Sequence, residues 1–115
     1  MKSRIQKEKR CLVCGATQPL HEHHIFNSSN RSKAEADGLK IYLCAYCHQY
    51  THLHKEQLNF FKKLGERYFL ENIGSFEEYM HRYRVNYLDQ EEIDECELNR
   101  IEGKKDAIRW ENIFI

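Results

Sequence analysis

The chain has 115 residues, 31% of them charged, a mean hydropathy of −0.80 and a formal net charge of zero. That is room for one domain with a modest apolar core, and no apolar run is long enough for a membrane span. Residues 1–70 carry 12 Lys and Arg against 6 Asp and Glu, and residues 71–115 carry 6 against 12, so the first part is the half suited to a polyanion.

Met1–Arg10 is polar and basic and has neither periodicity nor the apolar stretch of an export signal, so it is read as a flexible arm. The expectation is therefore a soluble cytoplasmic protein with reduced cysteines that are available to a metal. Cys11-Leu-Val-Cys14-Gly15 follows and has the form of a zinc knuckle, with a glycine that permits a tight turn after the second thiol. Leu20–Phe26 is apolar at both ends and rich in histidine between them, which predicts a short strand leading into a loop. Asn27–Lys33 is polar and basic and is expected to be that loop, exposed to solvent. Ala34–Asp37 suits one helical turn ending at Gly38, and Leu39–Leu43 predicts a second strand paired with the first.

Cys44-Ala-Tyr-Cys47-His48-Gln-Tyr-Thr-His52 then puts four potential metal ligands into nine residues. It is expected to open a helix, with His48 and His52 one turn apart on one face. The pattern stays helical from Leu53 to Asn72, with Leu58, Phe61 and Tyr68 on one stripe and Gly65 as a point where it breaks. Ser75-Phe-Glu-Glu78 has the form of a capping box, so a further helix is expected to carry Phe76, Tyr79, Met80 and Tyr83 inward. From Asp89 the chain is strongly acidic. Residues 89–115, with a turn at 103–106 and an apolar end at 107–115, form an extension that either docks on the core or meets another chain. Its removal is expected to leave the core folded.

Cys11, Cys14, Cys44 and Cys47 make two Cys-x-x-Cys pairs, and four thiolates complete a tetrahedral shell with no open position, which is a structural zinc site. Cys96 is left over. Four of the seven histidines, His23, His24, His48 and His52, fall at spacings that suit a second ion. Neighbours on a strand point to opposite sides, so one member of the His23–His24 pair can face a metal while the other faces a substrate. If His23, His48 and His52 bind the ion, positions stay open for water and a phosphate oxygen, and His24 is free as a general base.

In its Cys11-Leu-Val-Cys14, His23-His24-Ile25 and Leu43-Cys44-Ala-Tyr-Cys47-His48-x3-His52 motifs, the chain resembles the HNH, or ββα-metal, endonucleases in a zinc-stapled form. More loosely, residues 11–88 resemble small phage-encoded HNH proteins, for which the compartment would be the host cytoplasm. The resemblance implies an α+β fold: a small ββα-metal core with the four-cysteine zinc site, followed by additional helices. It implies a metal-dependent DNA endonuclease in which His23, His48 and His52 hold a catalytic divalent ion (Mg²⁺, Mn²⁺, Ni²⁺ or Zn²⁺) and His24 activates the attacking water. Arg31 and Lys33, in the loop, become candidates to clamp the DNA backbone. The chain departs from the family near Gly38-Leu39, where an Asn usually stands. Asn30 and Asp37 are the candidates to take its part, and His21 and His54 are further imidazoles near the site.

Two other classes compete with the nuclease. A zinc-stabilised DNA-binding or adaptor module needs only the four cysteines and the basic first half. A protein-interaction module would use the acidic extension, to bind a partner or a second copy.

Overall fold

The computed structural model describes residues 2–103; all but the first residue of the turn expected at 103–106, and the apolar end expected at 107–115, lie outside them. The fold is α+β. Strands β1 (Leu20–His24) and β2 (Lys40–Cys44) form an antiparallel pair, with α1 (Arg31–Asp37) inside their connection. Four helices follow: α2 (Ala45–Leu53), α3 (Lys55–Asn72), α4 (Phe76–Tyr83) and α5 (Gln90–Glu102). None is long and apolar enough to cross a membrane.

Both strands sit within a residue or two of their expected places, in a register that sets His23 opposite Ile41 and His24 opposite Lys40. β1 stops at His24 because the next two side chains leave the sheet for the core. Ile25 still donates its N–H to the Leu39 carbonyl at 3.2 Å. Phe26 then packs at 4.7 Å, ring to ring, on Tyr83. Every residue of β2 is buried, although apolar residues alternate with polar or amphipathic ones along it. The covering comes from the first dozen residues.

Residues 3–6 are therefore not the flexible arm expected for 1–10. Ile5 and Gln6 are buried. The Arg4 N–H donates to the Gly38 carbonyl, the Ser3 hydroxyl donates to the Lys40 carbonyl, and the Gln6 amide oxygen accepts from Tyr42 N–H at 2.7 Å. Single contacts of this kind leave no periodic pattern to read.

The polar stretch 27–33 is also not a plain loop. A 3-10 turn over Ser28–Asn30 runs into α1 at Arg31. Gly38 ends α1 in the left-handed conformation (φ 71°), as expected. The helical run from Cys44 to Asn72 is split at His54, whose extended backbone (φ −123°, ψ 102°) separates α2 from α3.

Gly65 does not break α3. It lies buried in the helix, and a Cβ there would stand 2.6 Å from Cγ2 of Ile25 and 3.3 Å from the Phe26 ring. The glycine is what lets α3 close on the segment leaving β1. Gly65→Ala improves helix propensity by about 1 kcal/mol, yet overpacking of this kind typically costs about 1–3 kcal/mol. A net loss is expected, read as a lower denaturant midpoint at unchanged slope.

The capping box at Ser75 and Glu78 is present, and Tyr79 and Tyr83 of α4 are buried, with Phe76 and Met80 packed at the margin. Asp89 and Glu92 make a second capping box and start α5. Of the two fates expected for the extension, α5 takes the first and docks on the core. Its Ile93, Cys96 and Asn99 are buried, Asn99 donates to Glu71 Oε2 at 2.8 Å, and Arg100 donates to the Leu70 carbonyl at 2.9 Å. Arg67 of α3 pairs with Glu95 at 3.1 Å and with Glu92 at 3.7 Å. The acidic residues thus alternate with a face that meets α3, and the folded unit continues past residue 88 to the end of α5.

Candidate metal centres

The two Cys-x-x-Cys pairs come together. Cys11 and Cys14 lie in a tight turn: Gly15 donates to the Cys11 carbonyl at 2.9 Å with φ 80°, and Cys11 N–H donates to Ala16. β2 ends on Cys44, whose sulfur caps the start of α2 by accepting from Cys47 N–H at 3.4 Å. All four sulfurs lie within 4.8 Å of one another, with three of the residues buried and Cys14 exposed. The Cys14 and Cys44 sulfurs are 3.7 Å apart. A tetrahedron with metal–sulfur bonds of about 2.3 Å has edges of about 3.8 Å, whereas a disulfide would need about 2 Å. The spacing therefore fits a shared ion, and the donor set fits a structural metal such as zinc.

The thiol acidities split in opposite directions. Burial raises Cys11, but backbone N–H groups of Cys14, Cys44 and Val13 facing its sulfur bring it down to about 7. Burial, with Cys44 and Cys11 beside it, pushes the Cys47 thiol well up. Without a cation the cluster cannot carry four thiolates; a divalent ion removes that conflict.

About one helical turn further along α2 is a second cluster. His23, on the buried face of β1, and His48 and His52, on one face of α2, each bring a ring nitrogen within 4.8 Å of the others. His48 Nε2 and His52 Nε2 are 3.1 Å apart, close to the separation of about 3.0–3.4 Å for two nitrogens bound to one ion at 2.0–2.1 Å. His23 is 4% exposed, and its Nε2 is buried without a hydrogen-bond partner. Burial, then the neighbouring His48 and His52, pushes its pKa down to about 4. Burial, then His52 and His21, also lowers His48. His23 is thus the neutral imidazole a metal requires, and its orphaned lone pair is the polar atom that an ion would satisfy.

His21 and His54 separate cleanly. His21 Nδ1 stands 2.9 Å from His48 Nδ1, on the far side of that ring from His52. His54 turns away, donating from Nδ1 to the Tyr50 carbonyl at 2.8 Å and stacking on the Tyr50 ring.

His24 points to the opposite side from His23, as strand alternation requires. It lines a cleft of about 180 Å³ together with His23, His48, His52, Asn27 and Arg31. It also lines an adjoining one of about 440 Å³ formed with Arg31, Ser28, Ser32 and Glu35. Its Nε2 is 2.7 Å from Glu35 Oε1. No family model, curated protein or solved structure matches this chain.

Arg31 belongs to the cleft, but Lys33 does not. The Lys33 ammonium donates to the Arg82 carbonyl at 2.8 Å, helping to fasten α1 to the end of α4. Asn30 and Asp37, the expected stand-ins for the family's Asn, are also used elsewhere. Asn30 donates to the Tyr83 carbonyl, and Asp37 accepts from Arg82 Nε and the Tyr83 hydroxyl. The residues that do meet the histidines are Glu35 and Asn27, neither singled out in the sequence. The only signal for Glu35 was its place one helical turn from Arg31, on the face a helix presents toward its strand neighbours.

Proposed function

We propose that this chain is a metal-dependent DNA endonuclease of the HNH type, with β1, β2 and α2 as its ββα-metal core. The observation that carries the reading is His23. Its Nε2 is buried and unpartnered, and one of its ring nitrogens lies within 4.8 Å of nitrogens of His48 and His52, while the adjacent residue, His24, opens onto the neighbouring cleft. A zinc-stabilised DNA-binding module without catalysis would explain the four cysteines and leave this arrangement without a purpose.

His23, His48 and His52 would hold the catalytic ion. When bound, it supplies positive charge for the scissile phosphate and the leaving 3′-oxygen. His24 takes the proton of the attacking water. With Nε2 engaged by Glu35, the nitrogen available for that step is Nδ1. Arg31 binds a phosphate oxygen at the mouth of the cleft, and the four-cysteine site fixes the start of α2 so that His48 and His52 keep their aim at His23.

The test is relaxation of supercoiled plasmid with Mg²⁺, Mn²⁺, Ni²⁺ or no added metal. One such cleft per chain predicts nicked circles as the first product. His24→Ala is expected to lower the rate by about 100- to 10,000-fold, the usual contribution of a general base, and His48→Ala to lower it comparably while the fold is kept. Cleavage that survives unchanged in both variants would sink the mechanism. Plasmid binding by wild type without cleavage under every metal would favour the binding module.

A further inference from the structure

Lys40 is one of the least accessible residues in the protein, 2% exposed although it carries an ammonium. Lysine is seldom found at that depth unless it is paired. This one is paired three times: Nζ lies 3.2 Å from Glu35 Oε1, 3.1 Å from Glu35 Oε2 and 3.2 Å from Glu22 Oε1. It stands directly across the strand pair from His24, and Glu35 reaches over from α1 to touch both. Glu22, His24 and Glu35 form a third group of metal-ligating side chains, but the lysine ammonium already lies between the two carboxylates, so this is an ion-pair network.

Among the described residues, Lys40 and His24 both hold Glu35. Lys40 holds both of its oxygens, and Oε1 meets His24 Nε2. A carboxylate accepts and does not donate, so the proton of a neutral imidazole beside it resides on Nε2 and Nδ1 keeps its lone pair. Among the described residues, no hydrogen bond engages His24 Nδ1.

We propose that Glu35 and Lys40 are positioning residues for His24: the buried ammonium fixes the carboxylate, and the carboxylate fixes the ring and its tautomer so that Nδ1 is open to water. This inference rests on the reading of His24 as the base. It assigns the orienting of that base to a strand lysine and a helix glutamate.

The experiment reads the tautomer directly, by long-range ¹⁵N–¹H correlation of the histidine rings in the full zinc-loaded chain at pH 8, without DNA. In wild type His24 is expected as the Nε2–H form. In Glu35→Ala and in Lys40→Met the signal is expected to move toward a mixture of tautomers, and Glu35→Gln, whose amide oxygen can still accept, is expected to restore it. In plasmid cleavage the Ala and Met variants are expected to lose kcat by on the order of 100-fold, as for a misplaced catalytic group, with KM within about 2-fold. If Lys40→Met does not fold, Glu35→Ala decides alone, because Glu35 is much the more exposed of the two.

An unchanged Nε2–H signal in folded Glu35→Ala overturns the positioning role whatever the cleavage data show. If the tautomer shifts as expected but wild type never cleaves DNA, the positioning role stands and the nuclease reading fails.

Discussion

Cys47→Ser is expected to release the bound zinc and unfold the domain. Metal analysis should find one tightly held zinc per wild-type chain and none in the variant, whose circular dichroism should lose the cooperative transition. The size follows from what holds that end together. Cys11 and Cys14 lie in a turn whose Cys11 and Leu12 reach the core, and it is tied to β2 and α2 by the sulfurs of Cys44 and Cys47 and by the bond from Leu12 N–H to the Tyr42 carbonyl. Structural zinc sites contribute apparent binding energies of about 10–16 kcal/mol, against a total stability of about 5–15 kcal/mol for a domain. Cys96→Ser is the control. That thiol is buried in α5 and pushed up to about 12 by burial, so its loss should leave the zinc content at one. Correctly folded wild-type protein with no zinc would refute the four-cysteine assignment.

Truncation after Leu88 is expected to be nearly as damaging, the reverse of what the acidic composition suggests. α5 buries Ile93 and Cys96 against α3 and covers α3 in return. Each fully buried apolar side chain contributes about 1.5–3 kcal/mol, so with the matching face of α3 the loss is about 5 kcal/mol. The Glu97 carboxylate also accepts from Phe76 N–H at 2.6 Å, tying α5 to the start of α4. Against the full-length chain, one ending at residue 88 should melt lower by more than about 15 °C or aggregate. Coincident melting of the two would show that α5 is an accessory.

Spacing made much of the site legible. The Cys-x-x-Cys pairs, the adjacent histidines and the four-residue step from His48 to His52 are local patterns, and chemistry that depends on local patterns survives in a sequence. The strands, the capping box at Ser75 and the stop at Gly38 were readable for the same reason. What escaped depends on partners far apart in the chain. Glu35 and Lys40 meet His24 only once the hairpin has closed, and Lys33, which looked like a DNA contact, finds the Arg82 carbonyl 49 residues away. The acidic run left open whether the extension docks, because net charge masked Cys96 and Asn99, which face inward together with Ile93. Gly65 was misread because a glycine needed for close approach looks the same in a sequence as one that ends a helix.

The opening residues have a consequence of another kind. A two-stranded sheet has outward backbone groups on each strand, and exposed groups of that sort invite pairing with another chain. On β2 those groups are taken: the Lys40 carbonyl by Ser3, the Tyr42 N–H by Gln6 and the Tyr42 carbonyl by Leu12. A side chain supplies two of the three bonds, so the guard does not itself present a new strand edge. Residues that read as a flexible arm thus protect the sheet against self-association, and trimming them would uncover a template for it beside the histidines.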